Sequence, residues 1–219
     1  MAMKKLMLSL VAACAALVGF GSYVQAWRGL PAGYTQVEYI ESTGSQYIDT
    51  DIVPGTSTAV DFTFNLVAYE SGKAFFGQKW SNNYYLFNEQ SDKFYFHGGG
   101  DLKNDLAGDY GKVIVGNDYR CQIEPTESNS GTLTLTWGGV TRSCTVTLSA
   151  GSGKMRIFGS TDSGHFSKIK VYGMKIWQGG ELVADLVPAK DSNGAGGLYN
   201  LVGEENNWLG NSGSDAFLL

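Results

Sequence analysis

The sequence predicts an all-β protein folded as a two-sheet antiparallel sandwich. Turn residues recur at intervals of roughly 8 to 12 positions, a spacing typical of sandwiches and barrels. No long stretch repeats its apolar residues with the period of a helix. Among the 219 residues, 30 are glycine, 43% are hydrophobic and only 17% are charged. This composition suits many short strands joined by tight turns, and it is the reverse of a disordered chain.

The first element in the chain is predicted to be an export signal rather than a strand. Lys4 and Lys5 form a positive start, and residues 6–20 are apolar without a charge. Residues 24–26 then place Val and Ala at the two positions that a signal peptidase reads. The apolar run is shorter than the roughly 20 residues that a membrane-spanning helix needs. We therefore expect cleavage after residue 26, which leaves one domain over residues 27–219.

Two other interpretations of the N-terminus remain. Residues 6–20 could form a buried first helix, or Val11-Ala12-Ala13-Cys14 could be the lipidation signal of a lipoprotein, although the residues after Cys14 stay apolar. Cleavage after Ala26 predicts a secreted protein, or a periplasmic or cell-envelope one, with no membrane span. The loss of two lysines then moves the formal net charge from −5 to −7. This charge argues against nucleic acid as a partner, because binding phosphates needs clustered Lys and Arg.

The strands follow in order, each an alternating or aromatic run that is bounded by turn residues. Gly138-Gly139 and Gly179-Gly180 predict two-residue hairpin turns, because glycine accepts the positive φ that such turns demand. Ser128-Asn129-Ser130-Gly131 is a polar loop of the same kind. No repeat or linker interrupts the pattern. The predicted strands are Gln46–Ile52, Ala59–Leu66, Lys73–Gln78, Tyr84–Glu89, Lys93–His97, Val113–Val115, Tyr119–Glu124, Thr132–Trp137, Val140–Leu148, Lys154–Phe158, Ser167–Trp177, Leu182–Pro188 and short pieces near Leu198–Leu201.

Cys121 and Cys144 remain after removal of the leader, and both lie in the apolar phase of their strands. A pair of cysteines in an exported chain indicates one possible disulfide, whereas two buried thiols are the alternative. If their strands flank the predicted strand Thr132–Trp137, the cysteines lie about two strand spacings apart, roughly 9–10 Å. That exceeds the Cα separation of about 7 Å that a disulfide can span. Both alternatives stay open.

Both ends of the predicted domain carry segments that resemble a known family. Residues 30–50 read Leu-Pro-Ala-Gly-Tyr-Thr-Gln-Val-Glu-Tyr-Ile-Glu-Ser-Thr-Gly-Ser-Gln-Tyr-Ile-Asp-Thr, and residues 181–190 read Glu-Leu-Val-Ala-Asp-Leu-Val-Pro-Ala-Lys. Together with Gly-Gly-Leu-Tyr-Asn-Leu-Val at 196–202, they resemble bacterial and phage concanavalin A-like domains of the LamG type. The resemblance implies a jelly-roll sandwich in which the first and last strands lie side by side. It says little about activity, because this fold carries lectins, glycosidases and adhesins alike.

No motif in the sequence indicates catalysis. Glycosidases need two carboxylates at a defined separation, and the Glu-x-Asp-x-x-Glu strand of the laminarinase type does not occur here. The nearest acidic pairs are Glu38/Glu41, Glu89/Asp92, Glu124/Glu127 and Glu181/Asp185. We interpret Glu89/Asp92 and Glu124/Glu127 as solvated surface. Carboxylates from distant strands could still assemble into a glycoside hydrolase site.

The sequence predicts no cofactor. The chain has only two histidines, His97 and His165, without zinc spacing. Asp49-Thr50-Asp51 and residues 101–105 are oxygen-rich and could hold Ca²⁺, but neither matches a calcium loop.

The hairpin from Tyr84 to His97 is the most informative segment for function. A three-residue loop, Gln90-Ser91-Asp92, would pair Glu89 with Lys93 as an ion pair, and counting back from it sorts the side chains into two rows. Leu86, Phe94 and Phe96 then face the core. The row predicted to face outward is Tyr85, Phe87, Tyr95 and His97.

An outward aromatic row beside polar groups suits a sugar, because a pyranose stacks its C–H face on a ring. Trp80, Asn82 and Asn88 are further candidates for such a site, whereas packing within the sheets is the alternative explanation for these aromatics. The leading hypothesis is a secreted, non-catalytic carbohydrate-binding module whose partner is a glycan or a cell-surface polymer. A structural or adhesive surface protein that contacts other proteins is the second hypothesis.

Overall fold

The computed structural model describes residues 30–80, 83–91, 93–98, 103–105, 113–127, 129–161, 165–203 and 207–219. The predicted export signal and Asn82 lie outside these ranges. Within them, every regular element is a β-strand, and two antiparallel sheets pack face to face as a jelly-roll sandwich. In the described part of the chain, no helix has the length and apolar character required to cross a membrane.

Ten strands form the larger sheet. Its main path pairs neighbouring antiparallel strands, and two short N-terminal strands attach to it, β1 (Thr35–Gln36) and β2 (Ile40–Glu41). The strands of the main path, in spatial order, are β11 (Val140–Thr147), β10 (Ser130–Trp137), β9 (Asp118–Pro125), β4 (Thr58–Ala68), β13 (Lys168–Gln178), β14 (Glu181–Lys190), β15 (Gly196–Asn200) and β16 (Trp208–Gly210). β1 pairs with β14, and β2 pairs with β13.

Six strands form the smaller sheet. Its spatial order is β3 (Ile48–Asp49), β12 (Arg156–Ile157), β5 (Ala74–Trp80), β6 (Asn83–Gln90), β7 (Lys93–Gly98) and β8 (Lys103–Asp105). The chain passes repeatedly between the sheets, so that strands distant in sequence become neighbours in each sheet.

Aromatic rings fill the space between the two sheets. β4 alternates strictly, with Phe62 and Phe64 fully buried and Asp61 and Thr63 on the opposite face. The ring of Phe64 lies 4.9 Å from that of Phe75 across the core. Burying each such side chain contributes about 1.5–3 kcal/mol. The other fully buried large side chains include Phe76, Tyr85, Phe87, Phe94, Phe96 and Tyr119.

The sheets converge to contact at one corner of the sandwich. Gly98 ends β7, and a Cβ atom there would lie 1.7 Å from the carbonyl oxygen of Thr147 at the end of β11. No side chain fits in that space. The two sheets therefore contact each other through their backbones at the corner between β7 and β11.

The two ends of the described chain are joined by hydrogen bonds. Glu41 and Leu218 exchange backbone N–H···O bonds of 2.9 and 3.0 Å. Gln46 is fully buried beside them, and its amide donates to the carbonyl of Ala216 at 2.8 Å while it accepts from the backbone of Thr43 at 2.8 Å. The N-terminal and C-terminal segments therefore lie side by side, as the family resemblance implied.

Most predicted strands are present, and both glycine turns are confirmed. Gly138 and Gly139 have φ values of 50° and 79°, and Gly179-Gly180 likewise connects β13 to β14.

The predicted strand Val113–Val115 is wrong. These residues form a turn in which Ile114 and Val115 are about half exposed, because the Tyr119 hydroxyl accepts from the Ile114 N–H at 2.8 Å and donates to its carbonyl at 3.0 Å. The four short strands β1, β2, β8 and β16 had no counterpart in the prediction.

Candidate functional site

The aromatic hairpin has a different register from the one predicted. Gln90 pairs with Lys93, which leaves a two-residue loop, and Glu89 pairs with Phe94 instead of Lys93. Ser91 adopts a φ of 53° in this turn. A slip of one residue moves every side chain of a strand to the other face of the sheet. The predicted faces of β6 are therefore reversed, whereas those of β7 are retained.

Tyr85 and Phe87 are both fully buried between the sheets, so their predicted outward orientation is wrong. Phe87 stacks on Phe94 at 5.6 Å. The Tyr85 hydroxyl donates to the carbonyl of Thr58 at 2.9 Å, and burial raises the pKa of this phenol well above its usual value. Neither ring can contact a ligand on the sheet surface. Both belong to the core.

Glu89 also turns inward in the observed register. Its side chain is 1% exposed, and its Oε1 accepts a 2.9 Å hydrogen bond from the backbone N–H of Glu70. The interpretation of Glu89 as solvated surface is therefore wrong, and its cross-strand partner is Phe94 instead of Lys93. Glu124 and Glu127, the other pair placed at the surface, are indeed exposed.

Tyr95 and His97 lie on the outer face of the smaller sheet, as predicted. Their ring centroids are 6.2 Å apart, and both side chains are partly buried. The Nε2 atom of His97 lies 3.1 Å from Oδ1 of Asn88 on the neighbouring strand. Leu86 shares this face. We call Tyr95, His97 and Asn88 the small-sheet cluster. The side chain of Trp80, like all of Asn82, lies outside the described structure.

No disulfide joins Cys121 and Cys144. Cys121 on β9 pairs with Leu135 of β10, and Cys144 on β11 pairs with Leu133 of the same strand. The intervening strand and the two-residue offset separate the thiols by about 9–10 Å across the sheet and about 7 Å along it. Burial, followed by the nearby negative charge of Asp61, raises the pKa of the Cys121 thiol well above its ordinary value.

The carboxylates of the segment proposed for calcium pair with cations of the protein. Asp49 accepts a 2.6 Å hydrogen bond from Arg156, and Asp51 lies 2.5 Å from the Lys154 ammonium. Across the described residues, no group of three or more His, Cys, Asp or Glu side chains is arranged to hold a metal ion. Residues 101 and 102 of the second segment lie outside the description.

A pocket that the sequence did not indicate opens on the outer face of the larger sheet. Its volume is about 470 Å³, within the range of small-ligand sites. Four adjacent strands, β9, β4, β13 and β14, form its floor. We call it the large-sheet pocket. Its lining residues are Asp61, Thr63, Arg120, Tyr172, Gly173, Met174, Lys175, Asp185, Leu186 and Val187.

A β-bulge shapes this pocket. Val171 pairs with Phe64 and Gly173 pairs with Thr63, so Tyr172 is an extra residue on β13. Bulges bend a strand and change the direction of a side chain. The Tyr172 hydroxyl donates to Asp118 at 3.0 Å, and burial together with this bond raises the pKa of Tyr172 to about 12. The tyrosine is thus held in its neutral form as one wall of the pocket.

Charges alternate across the pocket floor from strand to strand. Arg120 donates twice to Asp61, at 2.8 and 2.6 Å, and this bidentate bond raises the pKa of the guanidinium. On the next two strands, the Lys175 ammonium lies 3.2 Å from Oδ2 of Asp185. The Asp185 side chain is only 4% exposed, and Oδ2 accepts no hydrogen bond from the described residues. The four charges sum to zero.

Comparison with known proteins identifies no family. No protein-family model matches the chain, and no curated protein matches it. Among solved structures, a heptameric SAP-like pentraxin from Limulus polyphemus is 12% identical with a TM-score of 0.46, over 68% of this chain and 79% of that one. Scytalido-glutamic peptidase is 12% identical with a TM-score of 0.41, over 82% of this chain and 100% of that one.

The enzymatically active domain of tailspike protein 2 from bacteriophage CBA120 is 10% identical with a TM-score of 0.44. That match covers 60% of this chain and 24% of the tailspike chain, so this chain spans about a quarter of that protein's length. Similarities at this level carry no argument about activity or ligand. The strand topology itself defines the class of the protein, a two-sheet antiparallel jelly-roll sandwich, and any function must be argued from its surfaces.

Proposed function

We propose that this protein is an exported, non-catalytic module that binds carbohydrate through the outer face of its smaller sheet. The observation that carries the proposal is the small-sheet cluster, in which two half-buried aromatic rings and the buried amide of Asn88 share the outer face of the smaller sheet. A sugar ring stacks on an aromatic side chain, and its hydroxyls need nearby donors and acceptors. Tyr95 and His97 supply the rings, and Asn88 supplies an amide at 3.1 Å from the imidazole.

The strand register supports this choice of residues. Asn88 pairs directly with Tyr95, and Leu86 pairs with His97, so the four side chains form two adjacent cross-strand pairs. Such pairs hold side chains within contact distance on one face. Regular strands also position ligand groups more rigidly than loops do. The same proposal includes that the domain is of the LamG type within the concanavalin A-like class, and that residues 1–26 direct export of the protein.

A glycan array, probed with the purified protein in the presence and absence of Ca²⁺, tests the proposal. We expect selective binding of neutral glycans, and we expect that this binding does not need calcium. Tyr95→Ala should lower the affinity for each bound glycan by about tenfold, which corresponds to the loss of one stacked ring. Thr134→Ala serves as the matched control, because Thr134 lies on the exposed face of β10, where it bonds only to Ser143 among the contacts given for it.

Two results would refute the carbohydrate function of this face. The first is the absence of any bound glycan at millimolar protein. The second is a set of bound glycans whose affinity Tyr95→Ala and His97→Ala leave unchanged. In the first case, the structural or adhesive hypothesis becomes the better account. Size-exclusion chromatography coupled to light scattering would then show whether the chain associates with itself. N-terminal sequencing of the exported protein tests the cleavage after Ala26.

A further inference from the structure

We infer that the large-sheet pocket is a second ligand site, on the opposite face of the sandwich from the small-sheet cluster, and that it takes a neutral polyhydroxylated ligand such as a single sugar unit. This inference does not require the small-sheet cluster to bind anything. It rests on the shape of the pocket, on one buried carboxylate oxygen and on the balance of charge.

The shape of the pocket comes from an irregularity in β13. If β13 were regular, it would present a side chain at every second position on the outer face, and the charged side chains of the four strands would lie in one continuous row across the sheet. The bulge instead inserts Tyr172 and leaves Gly173 opposite Thr63. Glycine adds no side chain to the floor, and a Cβ there would lie 3.2 Å from the carbonyl of Leu186. A charge ladder that served stability alone would need neither the bulge nor the open space above it.

Asp185 supplies the second observation. Its side chain is 4% exposed and lines the pocket, yet Oδ2 receives no hydrogen bond from the described residues and has only the ion pair with Lys175. The Lys175 ammonium at 3.2 Å compensates the charge of this oxygen, whose lone pairs can still accept a hydrogen bond. A ligand hydroxyl or a water molecule in the pocket would donate this bond. The charged side chains of the pocket give a hydroxyl or a water molecule polar partners, and the pocket is large enough for either.

The balance of charge selects the class of ligand. Asp61 already binds Arg120 through two hydrogen bonds, and Asp185 already lies beside Lys175. An anionic ligand would have to compete with these carboxylates for the same cations. Asp118, which accepts from Tyr172, and Glu38, whose charge acts on Tyr172, add further negative potential at that end of the pocket. Acidic ligands are therefore disfavoured.

Hydroxyl groups fit this arrangement because each can donate and accept. A vicinal diol can donate to the carboxylates while it accepts from the guanidinium or ammonium groups beside them. The ring of Tyr172 provides the apolar wall on which the C–H face of a sugar packs. The pocket thus offers the same kinds of contact as a carbohydrate site without requiring a net charge on the ligand.

Protein-detected NMR on the purified chain tests the inference. The probes are methyl β-D-glucopyranoside, methyl β-D-galactopyranoside and methyl α-D-mannopyranoside, with sodium glucuronate as the matched acid, each at millimolar concentration. We expect at least one neutral glycoside to shift the amide resonance of Gly173 and the Nε resonance of Arg120. Glucuronate should leave both unchanged.

Variants of the wall and of the buried carboxylate separate binding from folding. Tyr172→Ala should lower the affinity for the glycoside by about tenfold, the loss of one packed ring. Tyr172→Phe keeps the ring and loses only the bond to Asp118, so it should stay within about threefold of the wild type. Asp185→Asn removes the negative charge beside Lys175, and glucuronate should then bind measurably.

Three results would overturn the inference: no shift of either resonance with any of the three glycosides, equal shifts with glucuronate, or unchanged affinity in a folded Tyr172→Ala protein. Tyr95→Ala distinguishes this site from the proposed function. Glycoside shifts that persist at Gly173 in that variant, with glycan-array binding lost, would place two independent sites on opposite faces. Loss of the Gly173 shifts in Tyr95→Ala would refute a separate site.

Discussion

Replacement of Phe87 by alanine gives the most direct test of the observed hairpin register. Phe87 has no exposed surface, and its ring lies 5.3 Å from that of Phe75 and 5.6 Å from those of Phe76 and Phe94. Truncating a phenylalanine in such a core costs about 3–5 kcal/mol, because the lost transfer free energy adds to the cost of the cavity. We expect a loss of about 4 kcal/mol in the free energy of unfolding.

Urea unfolding followed by tryptophan fluorescence measures this loss. With a denaturant slope of about 2 kcal/mol/M, the midpoint for Phe87→Ala should fall by about 2 M. Tyr95→Ala, on the outer face of the neighbouring strand, should cost no more than about 1 kcal/mol. Phe87→Leu should cost about 1 kcal/mol and keeps the test informative if the alanine variant does not fold. The register would be refuted if the Tyr95 variant lost more stability than the Phe87 variants.

Three further expectations follow from buried or shifted groups. Tyr85→Phe should lower the free energy of unfolding by about 1–2 kcal/mol, because a buried hydrogen bond to a β4 carbonyl is lost; a midpoint equal to that of the wild type would contradict this. Iodoacetamide at about pH 8 should alkylate Cys144 before Cys121, because burial keeps Cys121 protonated and inaccessible; peptide mass mapping that finds the reverse order would disprove it. The Tyr172 pKa is raised to about 12 from an ordinary 10 by burial and by Asp118. The stabilising contribution of this phenol is therefore complete below about pH 10 and is lost as the pH rises toward 12, so the stability difference between wild type and Tyr172→Phe should shrink over that range in urea titrations and not grow.

The fold class was predictable because its signals are local. Glycine pairs at 138–139 and 179–180 fix two hairpin turns, since both glycines of a pair must adopt positive φ. The side chains of β4, for example, alternate between buried and half-buried from Thr58 to Leu66. The position of the N-terminal segment beside the C-terminal segment was implied only by the family resemblance, because the residues concerned are far apart in sequence.

The register of the β6–β7 hairpin was not predictable from alternation. β7 alternates apolar and polar side chains, so its core face is unambiguous. β6 carries Tyr84, Tyr85, Leu86 and Phe87 in succession, so either face could be buried. The loop sequence did not indicate its length either. Ser91 adopts a positive φ, a conformation that a sequence indicates only when glycine or asparagine stands at the position. The choice is made by packing against rings from the other sheet, which no local pattern contains.

The large-sheet pocket lay beyond sequence reasoning for a related reason. Asp61 and Arg120 are 59 positions apart and meet only because β4 pairs with β9. Lys175 and Asp185 lie on one hairpin, but counting from the predicted turn pairs Lys175 with Ala184. The register shift that brings Lys175 opposite Asp185 leaves Val183 as an extra residue, which the sequence does not indicate. Nothing in the sequence marks Tyr172 as a bulge residue except the glycine that follows it.

The contact between Gly98 and the carbonyl of Thr147 restricts position 98 to glycine. A Cβ there would lie 1.7 Å from that oxygen, so β7 and β11 could accept even alanine only by moving apart. Because these strands belong to different sheets, a single added methyl group at this position should disturb the packing of one sheet on the other.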